Sequence, residues 1–112
     1  MKKAAATRLS ESKIDLSRVL VKKNKARHDI VITNTGKSPL QISKLQVFNP
    51  AVGVALKKTI LQPGESTRLR VTVLKKNLGK KKRHLRILMI TNDPVQPKVE
   101  IDVKATSNEA HN

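Results

Sequence analysis

The stretch that most constrains this chain is Ile30-Val31-Ile32-Thr33-Asn34-Thr35-Gly36-Lys37-Ser38-Pro39-Leu40, a β-branched run broken by a turn. Strand side chains alternate between faces, so Ile30 and Ile32 point the same way and offer an apolar edge to a core. Asn34, Gly36 and Pro39 then end the run by separate means. Asn bonds its own backbone, Gly accepts a positive φ, and Pro fixes its φ while pushing Ser38 toward extended geometry. The same grammar of short apolar strand and turn repeats to the end of the chain, and it predicts an all-β domain.

The remaining strands follow from this grammar. Ile14 to Val21 begins with alternation and ends fully apolar, which predicts a first strand, and Lys22 to Arg27 reads as a basic turn. The organising strand runs from His28 to Thr33 and a third from Leu40 to Phe48. In that third strand the step from Ile42 to Leu45 breaks the alternation and predicts a bulge near Ser43-Lys44. Val52 to Leu61 is a fourth strand, closed by the Pro63-Gly64 turn. Thr67 to Leu74 alternates cleanly, with Leu69, Val71 and Val73 inward and Arg68, Arg70 and Thr72 outward. Lys75 to Arg83 is a second basic loop, Leu85 to Thr91 a sixth strand, and Lys98 to Ala105 a seventh.

Seven short strands separated by turn residues predict an immunoglobulin-like β-sandwich over residues 13–106. Residues 1–12 and 107–112, small and polar, are expected to be flexible tails. Pro39, Pro50, Pro63, Pro94 and Pro97 cut the chain too often for a helical fold. A closed barrel of the oligonucleotide-binding type is the structural rival. There is no cysteine, hence no disulfide, thiolate metal site or thiol nucleophile. No apolar run approaches the roughly 20 residues of a membrane span, and the basic start, Met1 to Arg8, has no apolar segment behind it of the kind a signal peptide carries.

Several of these motifs occur in an order that resembles a known group. Val31-Ile32-Thr33-Asn34-Thr35-Gly36, Pro39-Leu40-Gln41-Ile42, Pro63-Gly64-Glu65-Ser66, Gly79 and Ile90-Thr91-Asn92-Asp93-Pro94 follow one another along residues 14–105. The chain thereby resembles bacterial immunoglobulin-like domains of unknown function similar to Hydin-type and major-sperm-protein (PapD-like) domains. The resemblance implies a seven-stranded sandwich that binds or spaces other proteins, in a bacterial and extracytoplasmic setting. Many bacterial members carry cysteines after the third strand, where this chain has Val47-Phe48-Asn49-Pro50.

Charge is the second informative feature. The chain holds 24 Lys and Arg against 8 Asp and Glu, a net charge of +16. In a sandwich of this topology the two basic loops fall at one end. Lys22, Lys23, Lys25 and Arg27 should therefore meet Lys75, Lys76, Lys80, Lys81, Lys82 and Arg83, making one pole strongly positive. The other pole should be near neutral, with Lys37, Glu65 and Asp93 as its main charges. Such a pole is either a solvated face or a contact for polyanions such as nucleic acid, an anionic polymer or lipid head groups. Lysine outnumbers arginine, which suits non-specific attraction, and Phe48 is the single aromatic residue, so there is no base-stacking platform.

Catalytic constellations are sparse. Glu100 and Asp102 share the outward face of the last strand beside Lys98 and Lys104, where they read as surface ion pairs. His28 and His84 begin two strands at the basic pole but lack a third metal ligand. On the sixth strand Leu88 and Ile90 lie opposite Leu85, Ile87 and Met89, so the strand is apolar on both faces. Leu88 and Ile90 form either a patch covered by long basic stems or a protein-binding face. The expectation is thus a non-enzymatic module for protein interaction or spacing, with polyanion binding through the basic pole as the alternative. It includes a protein partner and no cofactor, metal or small-molecule ligand.

Overall fold

The alternation legible in the sequence is the alternation that is buried. In β7 (Ser66–Leu74) the side chains of Leu69, Val71 and Val73 are fully buried, while Arg68 and Arg70 face solvent. The computed structural model describes residues 4–77 and 83–105. Among them are nine strands, one short α-helix and a 3-10 turn at Lys75–Asn77: β1 (Thr7–Leu9), β2 (Lys13–Asp15), α1 (Ser17–Lys22), β3 (Lys25–Asn34), β4 (Leu40–Val47), β5 (Val52–Leu56), β6 (Ile60–Leu61), β7, β8 (Arg83–Thr91) and β9 (Lys98–Ala105).

The strands form two sheets, in the orders β1-β3-β7-β5 and β2-β9-β8-β4-β6. Every pairing is antiparallel except β2 on β9. The sheets enclose one core. Ile30, Ile32, Leu69, Val71 and Val73 come from the first sheet, and Ile87, Met89, Ile101 and Val103 from the second, all with no accessible surface. Each such side chain contributes about 1.5–3 kcal/mol by leaving water. These residues drive the assembly.

The bulge sits where the broken alternation placed it. The β4–β8 register shifts between Ile42 and Lys44, pairing Ile42 with Thr91 but Leu45 with Met89 and Val47 with Ile87. The extra residue restores Leu45 and Val47 to the core side, and Lys44 is left outward beside Ile90.

Four expectations are corrected. The segment Ile14 to Val21 is not one strand: β2 ends at Asp15 and α1 begins at Ser17. Leu16 and Leu20, four apart, are both buried, so a helical turn buries two leucines that a strand would also have held. Residues 4–12 are built into the sandwich. Ala5 and Thr7 are buried, and β1 pairs with β3 through Thr7–Asn34, Arg8–Thr33 and Leu9–Ile32. The predicted strand from Val52 to Leu61 crosses between sheets: β5 pairs with β7, and β6 pairs with β4. With β1 gained and this strand divided, the count is nine where seven were expected. Gly36 does not use positive φ; among the described glycines only Gly64 does, at +85°. Gly36 instead allows the N-terminal segment to cross it, because a Cβ there would lie 2.1 Å from the Ala4 carbonyl oxygen. The predicted tail at residues 107–112 lies outside the described residues.

Candidate interaction surface

The first residue of β3, Lys25, pairs with the last of β7, Leu74. The chain entering β3 and the chain leaving β7 therefore share one end of the sandwich. They touch there: the Lys75 N–H donates to the Asn24 carbonyl at 2.8 Å. The Leu74 N–H, bonded to the Ala51 carbonyl at 2.8 Å, brings the turn after β4 to the same end. Helix α1 is fixed there too, because the Leu16 N–H donates to the Lys104 carbonyl near the end of β9. Asp15 Oδ1 accepts the N–H of Ser17 in an Asx turn that leads from β2 into the helix.

The structure thus brings together the basic residues of the two loops as far as they are described. Lys22, Lys23, Lys25, Arg27 and Lys76 are exposed and Lys75 is half-buried. Lys25 and Arg27 belong to β3, not to a turn, and so project from the first strand positions of this pole. Lys80, Lys81 and Lys82 lie outside the described residues, as does the side chain of Arg83. Ion pairs among the described residues join Glu11 to His28, Glu65 to Lys58 and Asp29 to Arg70. None of them uses a cation of this pole.

The opposite pole is internally satisfied. Glu65 is held below the usual carboxylate range by the Lys58 ammonium, helped by the Gln62 N–H. Burial pushes Asp93 upward, but the N–H groups of Val95, Thr7 and Gln96 outweigh it and leave its pKa lowered. Asn34, fully buried, accepts the N–H groups of Gly36 and Ala6 at Oδ1. Its Nδ2 donates to the carbonyls of Ser38 and Leu61, so it is the loop-shaping residue expected of this turn.

Leu88 and Ile90 stand on the outer face of the second sheet and are half-buried. Ile90 lies between Lys44 and Lys98, and Leu88 between Gln46 and Glu100. Asp102 stands in register between Arg86 and Lys13, and Glu100 beside Leu88, so the two carboxylates lie on an open face among basic neighbours. His28 bonds Glu11, and the side chain of His84 lies outside the described residues. No group of three His, Cys, Asp or Glu able to hold a metal occurs among the described residues. No described helix is long and apolar enough to cross a membrane.

Arg18 and Val19 were missed by the sequence reading. As part of a strand they would have been hidden or unremarkable; on α1 they join the basic pole, and Val19 is 40% exposed. No local signal could have revealed them, because the four-residue spacing of Leu16 and Leu20 puts both on one face of a strand or of a helix.

Comparison with solved structures places the fold among known ones. The chain is similar to a protein of unknown function from Porphyromonas gingivalis, with 29% identity and a TM-score of 0.84 over 95% of this chain, spanning about half (49%) of that protein. It is similar to the VesB protease of Vibrio cholerae at 13% identity and TM-score 0.70, covering 92% of this chain and 32% of the protease. It is also similar to the ASH/PapD-like domain 7 of human CEP192, at 12% identity and TM-score 0.72, covering 99% of this chain and 92% of that domain. The last two likenesses are of fold alone. Comparison with curated proteins gives no match. Residues 5–106 match the model of the HYDIN/CFA65/VesB-like Ig-like domain. The chain belongs to that family.

Proposed function

We propose that this domain is a non-enzymatic interaction and spacing module within a larger assembly, with the basic pole as its contact surface. The observation that carries this reading is the bond from the Lys75 N–H to the Asn24 carbonyl. It gathers cations from distant parts of the chain at one end, while the carboxylates of the other end are occupied internally. A field of several kT at one pole favours an oppositely charged partner and repels a second copy of the same pole. The polypeptide also suits a bead in a string: Ala4, bonded to the Lys37 N–H, is at the neutral end, and Ala105, paired with Arg83, is at the basic end.

The test places a photo-cross-linking amino acid at Lys23 and, separately, at Lys37 in cells that make the native protein. Protein adducts from position 23 exceeding those from position 37 are expected. Absence of protein adducts at both positions would overturn the reading.

A second reading, polyanion contact at the same pole, is favoured by the exposed Lys22, Lys23, Lys25 and Lys76, none of which is in the ion pairs found among the described residues. It predicts retention on heparin or DNA that falls steeply with salt. No retention at moderate salt would remove it.

A further inference from the structure

Helix α1 turns a featureless basic end into a surface with an apolar floor. Two adjoining depressions share Val19 and Lys23; Arg18 and Lys22 complete one, and Lys25, Arg27 and the Asn24 segment the other. No carboxylate lines either depression among the described residues. Leu16 and Leu20 take the buried side of the helix, and Val19 lies at the margin of that side, where it stays 40% exposed.

We propose that this face of α1 docks an acidic protein segment that carries one apolar side chain, seated on Val19 and ringed by Arg18, Lys22, Lys23, Lys25 and Arg27. The inference rests on the interaction-module reading and names its partner class. Charge selects an anionic occupant, because five cations and no carboxylate line the two depressions among the described residues. The apolar floor selects a peptide among anions. A nucleic-acid or polysaccharide backbone has no aliphatic group to bury on Val19, and the pole offers no aromatic ring in the depressions on which a base could stack. A membrane would be met differently. Phe48, 62% exposed, follows β4 at the same end of the sandwich, so a lipid surface would engage Phe48 as well as Val19. A short peptide held in the depressions engages Val19 alone.

The test measures fluorescence anisotropy of two synthetic decapeptides at about physiological salt, one of glutamates with a central leucine and one with serine at that position. The leucine peptide is expected to bind about five- to tenfold more tightly, the scale set by burying one aliphatic side chain. Val19→Ser should abolish that difference while leaving heparin retention unchanged, and Phe48→Ser should leave the difference intact. Equal binding of the two peptides would overturn the proposal. So would tighter binding to vesicles of 70:30 phosphatidylcholine and phosphatidylglycerol that depends on both Val19 and Phe48, or tighter binding to duplex DNA at the same salt. If the peptides fail while position 23 still cross-links protein, this inference falls and the module reading stands. If position 23 and position 37 both yield nothing, that reading falls too.

Discussion

The N–H of Thr7 donates to Oδ2 of Asp93 at 2.9 Å across 86 residues of sequence. Thr7 lies in β1 of the first sheet, and Asp93 in the turn between β8 and β9 of the second. One carboxylate therefore ties the two layers together at the end opposite the basic pole. The same carboxylate accepts the N–H groups of Val95 and Gln96 at Oδ1, so it also shapes its own turn.

This relationship predicts an acid-sensitive step in stability. The folded pKa of Asp93 is depressed, so its contribution is fully present above the unfolded value of about 3.9. It is lost as pH falls through the lower folded value. Asp93→Asn presents an amide in place of an acceptor to one of these donors, and should cost about 1–3 kcal/mol at neutral pH. The gap between wild type and Asp93→Asn should narrow below about pH 4 in urea titrations.

Gly36 predicts a sharply local defect. A Cβ there would meet the Ala4 oxygen at 2.1 Å, the Ala6 nitrogen at 2.5 Å and the Ala5 carbonyl carbon at 2.7 Å, all of them backbone. Gly36→Ala must displace residues 4–6 and break the bonds from Thr35 to Ala6 and from Lys37 to Ala4. The expected loss is about 1–3 kcal/mol, with faster hydrogen exchange at the Thr35 and Lys37 amides. Gly53→Ala meets nothing within 4 Å and should not be destabilising.

Register in β4 depends on its bulge. Deleting Ser43 would remove the extra residue between Ile42 and Lys44 and leave a regular strand, in which Leu40, Ile42, Leu45 and Val47 all keep the core side. Deleting Gln46 instead would make Leu45 and Val47 neighbours on opposite faces, and one of them would leave the core side. By denaturant unfolding the Gln46 deletion should cost about 1–3 kcal/mol and the Ser43 deletion clearly less, given about 1.5–3 kcal/mol for each fully buried aliphatic side chain.

The basic pole predicts the reverse separation, of binding from stability. Replacing Lys22, Lys23, Lys25 and Lys76 with glutamine touches exposed side chains without ion-pair partners among the described residues. Each change should alter stability by less than about 0.5 kcal/mol. Elution from heparin should move to clearly lower salt if the pole meets polyanions, and the leucine peptide should weaken with it.

Sequence alone determined what short-range periodicity can encode. The inward rows of β7 and β9, the bulge after Ile42, and the turns at Asn34, Pro63-Gly64 and Asn92-Asp93-Pro94 each depend on side-chain alternation or on the backbone preferences of a few adjacent residues. The contact of Lys75 with Asn24, where the described ends of the two basic loops meet, also followed, because sandwich topology dictates which loops share an end. Only the tertiary structure decided the rest. The run from Leu16 to Val21 satisfies a strand or a helix equally well by apolarity, and the choice went to whichever placed Leu16 and Leu20 together against β3 and β9. Residues 4–9 lack a strong apolar pattern, and they are held by contacts that are distant in sequence: the open surface of Gly36, the carboxylate of Asp93 and the edge of β3. The run from Val52 to Leu61 divided between sheets because β7 and β4 each offered an unpaired edge that no local rule could see.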